Sequence, residues 1–90
     1  MQDLVQKYEQ TVSEEDQLIR SIQTCEEVIT LLVDFIYAQN QDCQAEIIRA
    51  AIEAIHQTES RLRGNLLRTR IEKTLLSVQM KKYIPPVLTS

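Results

Sequence analysis

Glycine and proline are nearly missing from this chain, and with them most ways of turning or breaking a helix. One glycine, Gly64, and two prolines, Pro85 and Pro86, occur in 90 residues. Tryptophan is absent and the aromatics amount to 4% of the chain, whereas Gln, Glu, Leu, Ile and Arg abound. Little β-propensity survives that composition, so the fold class is all-α. The two cysteines, Cys25 and Cys43, show no CxxC spacing and no nearby histidine cluster, which argues against a metal site. A bridge between them across a turn stays open.

The opening MQDLVQKYEQ has neither a basic nor an apolar leader region, so no secretory signal is expected. The most apolar run, Val28 to Ala38, is interrupted by Asp34 and is too short to span a bilayer. Two thiols without a leader read as an intracellular chain, cytoplasmic or nuclear. A chain this short buries only about 60% of its unfolded surface, so a partner that covers it would add stability.

Catalytic groupings are also wanting. His56 stands alone between Ile55 and Gln57, and the acids Glu14, Glu15, Asp16 and Glu26, Glu27 fan around a helix instead of converging. Gly64 is isolated, so no phosphate cradle is expected, and neither thiol has a base beside it. The expectation is a protein that is not an enzyme, with no cofactor and no metal.

What is present is helical periodicity. Ser13-Glu14-Glu15-Asp16 reads as a helix start, with Ser13 as N-cap and acids in the first turn. Leu18, Ile22, Cys25, Ile29, Leu32 and Ile36 then recur at spacings of four and three, a heptad-type seam. Val28, Val33 and Phe35 widen it and suggest packing on more than one side. The first twelve residues, with Leu4, Val5, Tyr8 and Val12, read either as a separate short helix or as an extension of this one. Gln39 to Asp42 is the clear polar break, short enough to make its neighbours antiparallel, with Asn40 or Asp42 capping the next helix. The second arm runs through Ile48, Ile52, Ile55, Leu62 and Leu66 towards Pro85-Pro86. It either continues unbroken or breaks near 58–65, and continuity is the favoured reading. The expected organisation is one helical domain over 1–84, with arms at about 13–38 and 42–82, and an extended tail or linker start at 85–90. That is a long antiparallel helical hairpin or small bundle.

Charge divides between the halves. Residues 1–45 carry nine acidic and two basic side chains, a balance of −7, and residues 46–90 carry eight basic and four acidic, a balance of +4. Such a split fits two arms attracting one another, or a basic surface awaiting an acidic partner.

The segment RLRGNLLRTRIEK, residues 61–73, holds five basic side chains threaded with large aliphatic ones. On a helical wheel with Arg61 at the origin, Leu62, Leu66 and Thr69 cluster at about 100°, and Leu67, Ile71, Thr74 and Val78 at about 250°. Arg63 and Arg70 fall between them, at about 190°. Two apolar stripes on one helix imply two packing neighbours, with Arg63 and Arg70 snorkelling or pairing with carboxylates of the first arm or of another chain. A nucleic-acid strip should gather its cations on one side. Here they are split, which disfavours direct nucleic-acid binding. The candidate partner-binding residues are Arg61, Arg63, Leu67, Arg68, Arg70, Ile71, Lys73 and Val78.

The run Ile55-His56-Gln57-Thr58-Glu59, then Arg61-Leu62-Arg63, Leu67-Arg68-Thr69-Arg70-Ile71 and Glu72-Lys73, resembles the long helices of the helical A domain in GINS replication subunits. The ending Lys81-Lys82-Tyr83-Ile84-Pro85-Pro86-Val87-Leu88 is similar to where that domain's helix stops. The likeness covers about residues 45–88. It implies a non-enzymatic scaffold that assembles through packed helices into a heterotetramer joining the MCM ring at the replication fork. Leu67, Ile71, Arg63 and Arg70 would then make subunit contacts.

The expected function is assembly: a subunit or adaptor presenting a basic-and-aliphatic helix to other helices, GINS-like replication scaffolds included. A self-associating coiled-coil homodimer and a helical nucleic-acid-binding domain are the alternatives. Partners are other protein subunits or a second copy, and no membrane.

Overall fold

The computed structural model describes residues 2–39 and 44–82. They form two helices, α1 at Gln2–Gln39 and α2 at Ala45–Lys81, with no strand among the described residues. Contacts between the helices run in opposite chain directions. Glu15 meets Lys73, and Glu26 meets Arg63. The all-α antiparallel hairpin read from composition and periodicity is therefore what the chain forms, as a rod of 68 × 20 × 16 Å.

The heptad seam is longer than the six residues expected. Continuing backwards from Leu18 at the same alternating spacing reaches Glu15, Thr11, Tyr8 and Leu4, and all of them are half-buried or buried. The other five predicted seam residues, from Ile22 to Ile36, are likewise half-buried or buried. A matching seam runs along α2 through Ile48, Ile52, Ile55, Glu59, Leu62, Leu66, Thr69, Lys73, Leu76 and Met80. Each helix thus lays one stripe against the other.

Several local expectations are corrected. Ser13 is not a helix start but lies exposed inside α1, because Leu4, Val5, Tyr8 and Val12 carry the apolar face on towards the N-terminus. The acid in the first turn is Asp3, where the helix dipole favours a negative charge. α2 begins at Ala45 and not at 42. Gln44 occupies the N-cap position without a side-chain cap, its carbonyl accepting from the backbone N–H of Ile47 at 3.1 Å. Asn40, Asp42 and Cys43 fall outside the described residues, as does the expected 85–90 tail. α2 runs unbroken past 58–65, since Gly64 costs a helix interior only about 0.5–1 kcal/mol relative to alanine.

Two helices meeting along one seam enclose little. The buried hydrophobic side chains among the described residues are Ile22, Leu66 and Leu76. None reaches full burial, so every core residue keeps an edge in water. Thr11 is the buried polar residue, and its hydroxyl is satisfied by donating to the Lys7 carbonyl at 2.7 Å. Val28 is half-covered, but Val33 and Phe35, which were to widen the seam, are exposed near the turn end together with Leu31, Tyr37 and Ile47.

Candidate protein-interaction surface

Lettering the heptads so that the seam falls at a and d puts Leu67 at b, Ile71 and Val78 at f, and Leu75 at c. These positions form the outward face of α2, away from α1. Their side chains are 61%, 52%, 48% and 55% exposed, respectively. One helix therefore has an apolar inner stripe that α1 covers and an apolar outer stripe that no other described residue covers.

The basic residues of 61–73 part company on this helix. Lys73 sits half-buried at a seam position and donates from Nζ to Glu15 Oε1 at 2.6 Å. Arg70 donates from Nε to the other oxygen, Glu15 Oε2, at 2.9 Å. Arg63 is held by Glu59 at 2.8 Å on its own helix and reaches Glu26 of α1 at 3.4 Å. These three close the edge of the hairpin while Arg63 and Arg70 each leave 54% of the side chain exposed. Arg61 and Arg68 are on the outer side, where Arg68 donates to Asn65 Oδ1. Of the eight expected partner-binding residues, the structure places Arg61, Leu67, Arg68, Ile71 and Val78 on or beside the outer face. Arg63, Arg70 and Lys73 meet α1.

Glu15 was overlooked as a seam member because a carboxylate at an apolar heptad position breaks the hydropathy pattern. The signal that finds it is spacing alone, three residues before Leu18. Its side chain is only 12% exposed. The hydrogen bond from Lys73, and then that from Arg70, hold its carboxyl below the ordinary value of 4.5. Lys73 is reciprocally raised above 10.5, chiefly by its hydrogen bond to Glu15. Leu75 was also missed, although it follows Ile71 by one helical turn.

Chemistry other than binding finds little here. Cys25 is a free thiol, half-buried in an open apolar groove with Thr24, Val28, Ala54, Ile55 and Thr58. His56 is exposed. Among the described residues no three His, Cys, Asp or Glu side chains are grouped to hold a metal ion. No described helix is long and apolar enough to cross a membrane.

No protein-family model, no curated protein and no solved structure matches this chain.

Proposed function

We propose that this chain is a non-enzymatic assembly subunit whose α2 packs between its own α1 and a helix of a partner. The observation that carries the reading is the outward line of Leu67, Ile71, Leu75 and Val78, about half-exposed along a helix whose opposite face already forms the seam. A contiguous apolar stripe rimmed by polar groups is the mark of an interaction surface. The thin core points the same way, because a hairpin that buries so few side chains gains most from a second covered face.

Within that reading, the resemblance of residues 45–88 to the GINS A domain supplies a specific version, a replication scaffold acting inside the cell. The half-buried Cys25 thiol suits a reducing compartment. Direct nucleic-acid binding is less well supported, since Arg63, Arg70 and Lys73 spend their charge on the chain's own carboxylates.

The test is the molar mass of the purified chain by light scattering over a dilution series, alone and mixed with an amphipathic helical peptide. Association that disappears in Ile71→Glu, with helical content retained, supports the reading. A stable monomer that binds no helical partner at any concentration removes it.

A further inference from the structure

A second apolar surface spans both helices at the turn end, on a different side of the hairpin from the outer stripe of α2. Thr24 and Val28 of α1 and Ala54 and Thr58 of α2, all at positions c and g, line an open groove with the seam residues Cys25 and Ile55. One heptad nearer the turn, the same positions carry Leu31 and Phe35 on α1 and Ile47 and Ala51 on α2, all exposed. At c and g no charged side chain occurs over residues 24–38 or 47–58. Both threonines already donate to their own helix, Thr24 to the Arg20 carbonyl at 3.0 Å and Thr58 to that of Ala54 at 3.1 Å. Covering this face therefore strands neither hydroxyl.

The face consists of two unequal rows. On α1 the side chains are large, Val28, Leu31 and Phe35, whereas on α2 they are small, Ala51, Ala54 and Thr58. The pairings of Glu15 with Lys73 and of Glu26 with Arg63 fix which residues are level along the rod, and they set residues 28–35 level with 51–58. Consider a two-fold axis parallel to the rod, relating two hairpins with their turns at the same end. It lays each α1 over the other copy's α2 at that level, so the large row of each copy meets the small row of the other. The same operation brings Glu27, on the rim of the α1 row, beside Arg61, the c residue that follows Ala54 on α2. Both are exposed, and neither has an ion-pair partner among the described residues. A second copy thus matches this face in side-chain size and in rim charge at a single register.

We infer that two copies of the chain associate through this face into a four-helix bundle, turn ends together, with α1 of each copy packed on α2 of the other. Residues 24–38 span about 22 Å at 1.5 Å per residue, and the rod is 20 Å wide, which is small for a permanent interface. The dimer is therefore expected to be weak, with a dissociation constant on the order of 10 μM. Leu67, Ile71 and Val78 stay outside the bundle, so the proposal goes beyond the assembly reading and leaves its surface open.

Sedimentation equilibrium of the full chain, from about 1 μM to about 1 mM, tests the proposal. A reversible monomer–dimer equilibrium is expected. Phe35→Glu and, separately, Ala54→Glu, one in each row and both at exposed positions, should leave a monomer with unchanged helical circular dichroism. Ile71→Glu should leave the dimer intact. Glu27→Arg should weaken the dimer about tenfold at low salt, because it sets like charges together twice per dimer, and adding Arg61→Glu should restore it. Failure of that rescue, or a dimer that survives both Phe35→Glu and Ala54→Glu, overturns the inference. So does a dimer that Ile71→Glu dissociates, because the second copy would then cover the outer stripe. A chain that stays monomeric throughout also overturns it, yet leaves the assembly reading standing if that monomer binds a helical peptide and loses it in Ile71→Glu.

Discussion

Glu15 and Lys73 occupy facing seam positions on α1 and α2 and are joined at 2.6 Å where the pattern around them calls for hydrocarbon. An acid and a base at one layer of an antiparallel pair do more to select an arrangement than to strengthen it. Sliding α2 by one heptad would bring Leu66 or Met80 against Glu15 and leave its carboxylate without a partner. Arg70, on the other carboxylate oxygen, completes the layer. Two long seams of similar residues have many near-equivalent registers, and this layer distinguishes one.

Because the layer is charged, stability should depend on pH at both extremes. Glu15 titrates below its ordinary 4.5 in the folded chain, so its contribution is complete above that value and is lost as pH falls through the lowered one. Lys73 titrates above its ordinary 10.5, so its contribution is complete below that value and is lost as pH rises through the raised one. Thermal melts of the wild type and of Glu15→Gln should therefore differ by a constant amount between these limits, converge below the acid one, and draw closer without meeting above the alkaline one, where Arg70 still pairs with Glu15. A difference that persists undiminished into strong acid would show that the ion pair does not set it.

Leu66 and Ile22 are two of the buried hydrophobic residues of the seam, and truncating either should be felt through the whole rod. Leu66→Ala and Ile22→Ala are each expected to cost about 2–4 kcal/mol, the cost being lowered where water can fill the gap. Urea unfolding followed by circular dichroism measures it. A change comparable to that of an exposed-site control such as Leu31→Ala would mean that the seam is not the core.

Gly64→Ala should stabilise the isolated hairpin by about 0.5–1 kcal/mol, since alanine favours the helix and its methyl group enters open space. Its midpoint should rise accordingly. If the midpoint falls instead, the helix is distorted at this point.

Arg63→Glu with Arg70→Glu confronts Glu26, Glu59 and Glu15 with like charge at positions where the hairpin now has ion pairs. The expected outcome is a lower melting temperature, accompanied by loss of assembly. Leu67→Glu with Ile71→Glu, further round the helix on its outward face, should abolish assembly with little change in melting temperature. The contrast between the two double variants separates the inner from the outer face of α2, and identical effects from both would erase that distinction.

How much of this was legible beforehand follows from what each feature depends on. Helicity and the α1 seam from Leu18 to Ile36 are local, resting on spacing and on the scarcity of Gly and Pro, and they could be read directly. So could the two stripes of α2, because angular position on a helix is arithmetic. The start of α1 was misplaced because Ser13-Glu14-Glu15-Asp16 is a good capping sequence on its own. Only packing against α2 makes Glu15 a seam residue and keeps the helix running through it.

Two amphipathic helices and a polar break are local properties, since periodicity and backbone propensity act over a few residues. The tertiary structure decided which arginines are spoken for. Arg63 and Arg70 turn to α1 because the antiparallel register brings Glu26 and Glu15 within reach, and Arg61 and Arg68 do not. That choice depends on groups more than thirty residues apart in the chain, for which no local pattern codes. It leaves Leu67, Ile71, Leu75 and Val78 facing outward, because one helix can cover only one side of another.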